Sequence, residues 1–276
     1  MANRFKIGDM DVLVVSDGQA VFPGHMYFRG VTPEQIKPHA RWFDHAGNAT
    51  FPFTCFVVNT GGKKVLIDTG LGPVKMFTFT GGALLDELKS AGVSPEEIDT
   101  VFITHLHVDH CGTAALPDGD AMKPVFPNAT YRWTSTEQKH WTETPGESGS
   151  RDFDMAGMLA AIGPRWEAAD GGSTIAEGVS VIDCPGHTPG HAGVILSSGG
   201  ERAFVLGDAI SCPVQLEETE WSGLGDMDAK LARESQEIVL REAEGDDSLL
   251  TAAHFPGLTF GRVLRGEGKR YWEPVG

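Results

Sequence analysis

Basic residues are scarce in this 276-residue sequence. It holds 22 lysines and arginines against 38 aspartates and glutamates, which gives a formal net charge of −16. An acidic surface repels phosphate backbones and anionic lipid headgroups, and no basic run offsets it locally. The composition therefore argues against nucleic acid and against a membrane surface as partners.

Cysteines are also few, and long apolar runs are missing. The four cysteines, Cys55, Cys111, Cys184 and Cys212, form no C-x-x-C pair, so neither a thiolate zinc site nor a redox motif is indicated. No stretch approaches the roughly 18 apolar residues of a membrane span, and the N-terminus lacks the basic-then-apolar pattern of a signal peptide. We therefore expect buried, reduced thiols in a soluble, cytoplasmic protein.

Strand and helix signals alternate along the chain. Its length and its 41% hydrophobic content suit one large domain over residues 1–276. Helical spacing predicts a helix within 81–92 and a charged helix over about 226–244, and the Gly- and Ser-rich segment 142–172 predicts a long loop with a short helix. Apolar runs between Gly- and Asp-rich breaks predict strands within 11–18, 54–70, 99–105, 128–133, 178–186, 191–198 and 201–210, with a last strand at 248–254.

The densest chemical signal follows the apolar run 99–103. His105 and His107 alternate in an extended segment, so both side chains can face one ion. The turn beyond can direct Asp109 and His110 toward a second ion. A His-rich surface turn is a weaker explanation, because buried neutral imidazoles at this density would need many partners.

This H-x-H-x-D-H motif resembles that of the metallo-β-lactamase superfamily. Further landmarks of the family appear in its usual order, namely VLIDTG at 65–70, CPGHTPGH at 184–191, FVLGDAI at 204–210 and AAHFPG at 252–257. The resemblance covers nearly the whole chain. It implies the α/β fold of that family, a four-layer αββα sandwich.

The resemblance also implies a metal site with two divalent ions. His187 would join the first histidine pair, His254 would join the second pair, and Asp208 would bridge both ions. Asp68 and His191 would support the ligands without binding metal, although His191 shares the motif with His187. Zinc is the default for such a site, while manganese, iron, cobalt and nickel accept the same donors. The implied metal ligands are His105, His107, Asp109, His110, His187, Asp208 and His254.

The function implied is hydrolysis of a small-molecule substrate by a hydroxide that bridges the two ions, with Asp109 as a further catalytic residue that relays a proton. The spacing of the motifs is most similar to the branch that holds N-acyl-homoserine lactonases, other small-lactone hydrolases and methyl-parathion-type phosphotriesterases. Within that branch we favour a small apolar lactone or ester. The 22 residues that follow His254 are too few for the glutathione-holding domain of glyoxalase II.

Alternatives remain open at this point. One is a phosphotriester hydrolase, another is a mononuclear iron persulfide dioxygenase, and a third is a non-catalytic metal protein. The sequence names neither the substrate nor the oligomeric state, and a homodimer is compatible with it.

One position departs from many acyl-homoserine lactonases, which place a tyrosine three residues after the bridging aspartate. Ser211 stands there in this chain. Aromatic and apolar residues could wall a hydrophobic pocket, although each is more often a core residue. The candidates are Phe22, Met26, Tyr27, Phe28, Met76, Phe77, Phe79, Ser211, Trp221 and Phe255.

Overall fold

A computed structural model describes residues 2–76, 78–145, 150, 152–244 and 248–275. Within them, two seven-stranded sheets and one hairpin form the β-structure. The first sheet holds β1 (Asn3–Ile7), β2 (Met10–Pro23), β3 (Asn48–Thr60), β4 (Lys63–Ile67), β5 (Thr100–Phe102), β8 (Thr130–Trp133) and β9 (Trp166–Ala168). The second holds β10 (Thr174–Ala176), β11 (Val179–Asp183), β12 (Ala192–Ser198), β13 (Glu201–Val205), β14 (Leu249–Thr251), β15 (Gly261–Gly266) and β16 (Lys269–Pro274), and the hairpin is β6 (Ala115–Asp118) with β7 (Ala121–Pro124).

The described helices cover the outer faces of the sheets and the ends of the strands. None of them is long and apolar enough to cross a membrane. They are α1 (Gly24–Tyr27), α2 (Pro33–Ile36), α3 (Leu84–Ser90), α4 (Val108–Cys111), α5 (Ser135–Glu143), α6 (Met155–Ile162), α7 (Val214–Glu217) and α8 (Ala229–Glu244).

Side chains alternate between the two faces of each strand, and this alternation produces the layers of the fold. In β2, Val12 and Val14 enter the core between the two sheets, whereas Leu13 and Val15 pack on the opposite side with α3 and α6 residues. A third cluster joins the outer face of the second sheet to α8 through Val239. A strand buried on both faces is apolar at every position, which is why 12–15 reads VLVV. The predicted αββα sandwich is confirmed.

Most predicted elements agree with the structure. The hairpin within 54–70 is the antiparallel pair β3 and β4, and the charged helix is α8. The segment 142–172 contains the predicted short helix as α6 and also β9, which was not predicted; residues 146–149 and 151 lie outside the described residues.

The expectation that 248–254 holds the last strand was wrong, because β15 and β16 follow it. Charged residues in this hairpin obscure the alternation of apolar and polar residues by which a strand is recognised in a sequence. Trp272 packs this hairpin against the core. Its ring is buried, and its Nε1 donates to the carbonyl oxygen of Leu250 at 2.9 Å.

The ends of several strands meet at one edge. β4 and β5 run parallel, as do β13 and β14. Side chains just beyond the carboxyl ends of such strands converge. Asp68, directly after β4, has a φ of 58°, which is uncommon for a residue with a Cβ atom and is found at functional sites.

Candidate metal centre

Three imidazoles form the first cluster of the site. His105 and His107 follow β5, and His187 lies in the turn after β11. His107 Nδ1 lies 2.9 Å from His105 Nε2 and 3.0 Å from His187 Nε2. Three ring nitrogens converging on one point form a donor set typical of zinc. The structure thus brings together the three histidines that the resemblance implied for one ion.

A second cluster consists of Asp109, His110 and His254, whose ligand atoms could share one ion. His254 Nε2 lies 3.5 Å from Asp109 Oδ2. Helix α4 begins at Val108, so the chain turns after His107 and directs the next two side chains away from the first cluster. The side chains of the motif are therefore divided between the two clusters.

Asp208 stands between the two clusters. Its Oδ2 lies 3.3 Å from His187 Nε2, and its Oδ1 lies 3.3 Å from His110 Nε2. His254 Nε2 lies 3.1 Å from each of the two oxygens. A carboxylate in contact with imidazoles of both clusters is suited to bridge two cations.

Unpartnered atoms support the fit of a metal to these residues. His110 Nε2 and Asp208 Oδ1 are buried and have no hydrogen-bond partner among the described residues. A buried polar atom without a hydrogen-bond partner lowers the stability of the folded state. Cations on both sides of Asp208 would satisfy these atoms, so the donor set fits two divalent ions.

The two clusters differ in charge. Burial, followed by the repulsion of neighbouring imidazoles, lowers the pKa of His105 and His107 well below the usual value, so both are neutral donors. Burial also opposes protonation of His110 and His254, but the nearby carboxylates, led by Asp208, raise the pKa of both. The second cluster therefore attracts positive charge more strongly.

Outer hydrogen bonds orient the imidazoles. Asp68 Oδ2 lies 2.8 Å from His110 Nδ1, and the same carboxylate accepts from the backbone N–H and the hydroxyl of Thr104. The carbonyl oxygen of Pro52 lies 2.8 Å from His254 Nδ1. Such contacts fix the tautomer and direct the other ring nitrogen at the metal. The structure thus places Asp68 beside His110 and outside the two clusters of candidate ligand atoms.

His191 sits behind the site. Its Nε2 accepts from the backbone N–H of Asp208 at 2.8 Å, and burial lowers its pKa to about 3. The structure therefore places His187 in the first cluster and His191 against the backbone of the bridging residue.

Sequence reasoning missed two buried carboxylates. Asp226 Oδ1 lies 2.9 Å from His187 Nδ1, and Asp226 Oδ2 accepts from the backbone N–H of Gly223. Glu137 lies beneath the loops that carry the first cluster. No motif marks either residue, because each is defined by partners that are distant in sequence.

A largely apolar cavity of about 640 Å³ opens onto both clusters. Five predicted wall residues line it, namely Phe22, Met26, Tyr27, Met76 and Phe79. Phe51, Phe53 and Leu224 also line it, although the sequence did not single them out. The exposed side chains of Met26 and Leu224 give the cavity an apolar rim.

The remaining pocket candidates lie elsewhere. Phe28 and Trp221 pack against each other in the core, with ring centroids 5.3 Å apart, and Phe255 packs against Trp272 at 5.0 Å. Ser211 is buried outside the cavity wall. Phe77 is outside the described residues.

Comparison with known proteins agrees with this geometry. The family model for the metallo-beta-lactamase superfamily matches residues 50–254. An N-acyl homoserine lactonase of Bacillus sp. is 24% identical over 212 residues, which are 69% of this chain and 78% of that protein. Cleavage and polyadenylation specificity factor 73 of Drosophila melanogaster is 30% identical over 120 residues, which cover 37% of this chain and 16% of that protein.

Among solved structures, a dizinc quorum-quenching lactonase in complex with its product has the same fold. Its TM-score is 0.88 at 23% identity, and the alignment covers 100% of this chain and 97% of that one. Homologues and structural neighbours therefore include N-acyl homoserine lactonases and related metal-dependent hydrolases. The match over residues 50–254 and the shared fold show that this chain belongs to the metallo-beta-lactamase superfamily.

Proposed function

We propose that this protein is a dinuclear metal-dependent hydrolase that acts on small apolar lactones or esters. The observation that carries the proposal is the position of Asp208, whose carboxylate lies 3.3 Å from His187 Nε2 of one donor cluster and 3.1 Å from His254 Nε2 of the other. Similarity to a lactonase over 78% of that enzyme's length supports the substrate class. The donors suit zinc, and manganese, iron, cobalt or nickel would fit the same set.

The proposed ligands are the three histidines of the first cluster, the three residues of the second, and Asp208 between them. Two bound divalent ions would supply an activated water and positive charge next to a developing oxyanion. Asp68 and Asp226 hold His110 and His187 in orientation, so the ligand geometry exists before a substrate arrives.

The cavity determines which substrates reach the site. The T-shaped contact of Phe22 with Phe79, at a centroid distance of 5.5 Å, forms part of its wall. Apolar walls exclude water from the reaction centre and bind an apolar substrate by removing its surface from water. This favours a lactone or ester with a hydrophobic substituent over a charged substrate.

Tyr27 is proposed to orient the oxygen of the substrate. Two hydroxyl side chains line the described wall, and that of Thr78 already donates to the carbonyl oxygen of Val21. Burial, together with the charge of Asp208, raises the pKa of Tyr27 well above its usual value. The phenol therefore keeps its proton and can donate a hydrogen bond near Asp208.

Asp109 is proposed to move a proton to the leaving oxygen. Its side chain is 18% exposed and lines the cavity, so it is the more accessible of the two site carboxylates. Asp208 is 5% exposed and lies between the imidazoles.

The test is a substrate panel on metal-loaded and chelator-treated protein, with lactones, aryl esters, thioesters and phosphotriesters. We expect metal-dependent turnover with the highest kcat/KM on a lactone or ester. Phosphotriester turnover about tenfold above every lactone and ester would replace the proposed substrate class. Elemental analysis gives the metal content separately: two ions per chain are expected, and one ion at full activity would contradict the dinuclear site. The single domain, the cytoplasmic location and a homodimer stay predictions from the sequence.

A further inference from the structure

Glu137 is a fully buried carboxylate in α5. Its Oε1 accepts from the backbone N–H of Leu106 at 2.8 Å and from Trp141 Nε1 at 2.6 Å. Its Oε2 accepts from the hydroxyl of Thr188 at 2.8 Å and from the backbone N–H of Gly190 at 3.0 Å. Four donors on one carboxylate compensate for the loss of its hydration.

Three of these donors belong to two different loops, and the fourth, Trp141, lies in α5 itself. Leu106 stands between His105 and His107, while Thr188 directly follows His187. Each oxygen of Glu137 therefore serves one of the two loops that supply the first cluster. Thr188 and Gly190 are 51 and 53 residues away from Glu137 in the sequence. The carboxylate therefore directly connects segments that are distant in the chain.

Two further contacts make the connection rigid. The hydroxyl of Thr134, at the N-terminus of α5, donates to the carbonyl oxygen of Gly190 at 2.6 Å. A Cβ atom on Gly190 would lie 2.2 Å from the backbone nitrogen of Glu137, so helix and loop touch. Trp141, held by Glu137, packs edge-on against the His107 ring at a centroid distance of 5.6 Å.

We propose that Glu137 is a positioning residue that fixes the distance between the loop of His105 and His107 and the loop of His187, and thereby sets the metal affinity of the three-histidine cluster. The second cluster is oriented by Asp68 and by Pro52 instead. The inference rests on the proposed function, because it requires that the first cluster binds metal.

Glutamine cannot replace the carboxylate. Its single oxygen could serve Leu106 and Trp141, but its amide N–H groups would then face the Gly190 N–H, which is also a donor. Only the Thr188 hydroxyl can turn to accept, so the His187 loop would lose its Gly190 contact and keep at most one hydrogen bond. Loss of a contact that orients metal ligands lowers metal affinity by roughly 10- to 100-fold.

The experiment compares Glu137→Gln, the milder Thr188→Val, and Glu143→Gln as a control on the exposed side of the same helix. Each metal-free protein is titrated with Zn²⁺ against a chromophoric chelator, and the visible spectrum of the Co²⁺-loaded protein is recorded. We expect one of two metal equivalents to bind roughly 10- to 100-fold more weakly in Glu137→Gln, with a smaller loss in Thr188→Val, an altered Co²⁺ spectrum, and no change in Glu143→Gln.

The outcomes separate the two proposals. A wild-type protein that binds no metal overturns the proposed function and this inference together. A wild-type protein with two ions, and a Glu137→Gln variant that keeps both at equal affinity, overturns the inference alone. Equal weakening of both equivalents shows general destabilisation and also overturns it. If Glu137→Gln does not fold, Thr188→Val decides, and unchanged affinity there contradicts the inference.

Discussion

The Nε2 atom of His191 accepts a hydrogen bond from the backbone N–H of Asp208, 2.8 Å away. This contact assigns the proton of the neutral ring to Nδ1 and directs Nε2 at the backbone of the bridging residue. His187 instead presents its Nε2 to the first cluster while Asp226 holds its Nδ1. Two histidines of one motif thus have different tasks.

Alanine variants of these two residues should separate the tasks. His187→Ala should lose at least one metal equivalent in elemental analysis, because a ligand is removed. His191→Ala should keep its metal but unfold at lower urea concentration, with a loss of about 2 kcal/mol from the cavity and the unpaired N–H. Metal loss in His191→Ala together with full occupancy in His187→Ala would reverse the assignment.

Tyr27→Phe tests the orientation of the substrate. Removing the hydroxyl keeps the ring packed on Phe51, where the centroids are 4.3 Å apart. We expect kcat/KM on the best lactone to fall about tenfold, which is the value of one hydrogen bond, with metal content unchanged. Tyr271→Phe, in β16, is the matched control. Unchanged kinetics in Tyr27→Phe would remove this residue from the mechanism.

Phe79→Ala tests the apolar wall. Phe79 contacts Phe22 and Phe53, at centroid distances of 5.5 and 5.6 Å. Truncation removes apolar surface from the substrate contact, so KM for hydrophobic lactones should rise about tenfold. Small unsubstituted lactones should be affected less, and steady-state kinetics on both types measures the difference. An equal effect on both types would show that the wall does not select for the substituent.

The ion pair of Glu237 with Arg270 predicts a pH dependence of stability. Its hydrogen bond to the Arg270 guanidinium lowers the pKa of Glu237 to about 2. A lowered pKa in the folded state adds stability above the unfolded value of about 4.5, and this stability is lost as the pH falls toward 2. Glu237→Gln should therefore be less stable than wild type at pH 6, and the difference should shrink by pH 3.

Urea midpoints at both pH values measure this difference. Glu234→Gln, on the same helix and paired with Lys230 at 3.7 Å, is the control and should show no such trend, since exposed pairs contribute little. A Glu237→Gln deficit of equal size at pH 6 and pH 3 would show that the charge of Glu237 does not contribute.

The candidate ligands could be singled out in the sequence because each follows an apolar strand by a few residues and belongs to a motif of the family; that they bind metal stays a prediction. His254, for example, stands three residues after β14. The residues of the pocket wall were harder to predict from the sequence. Tyr27 and Phe28 are neighbours in an aromatic segment, yet Tyr27 lines the cavity and Phe28 is fully buried in the core. The short helix α1 determines which of the two side chains faces the cavity, and a helix of four residues is too short to show a periodic pattern in the sequence.

The buried carboxylates Glu137 and Asp226 could not be identified from the sequence for a different reason. A glutamate in a polar helix normally faces solvent, and nothing local shows that Glu137 meets two distant loops. The same holds for Asp226, which we expected only as the start of a helix. Such residues are identified by tertiary contacts, whereas the candidate metal ligands are identified by local sequence.

The long strand β2 bulges between Ser16 and Gly18, and beyond the bulge it delivers residues 20–23 and then α1 to the cavity. This part of the wall lies upstream of residues 50–254, the stretch that the family model matches, whereas the rest of the wall and every candidate metal donor lie inside that stretch. Exchanges in the first thirty codons are therefore expected to alter one side of the cavity and to leave all seven candidate ligands in place.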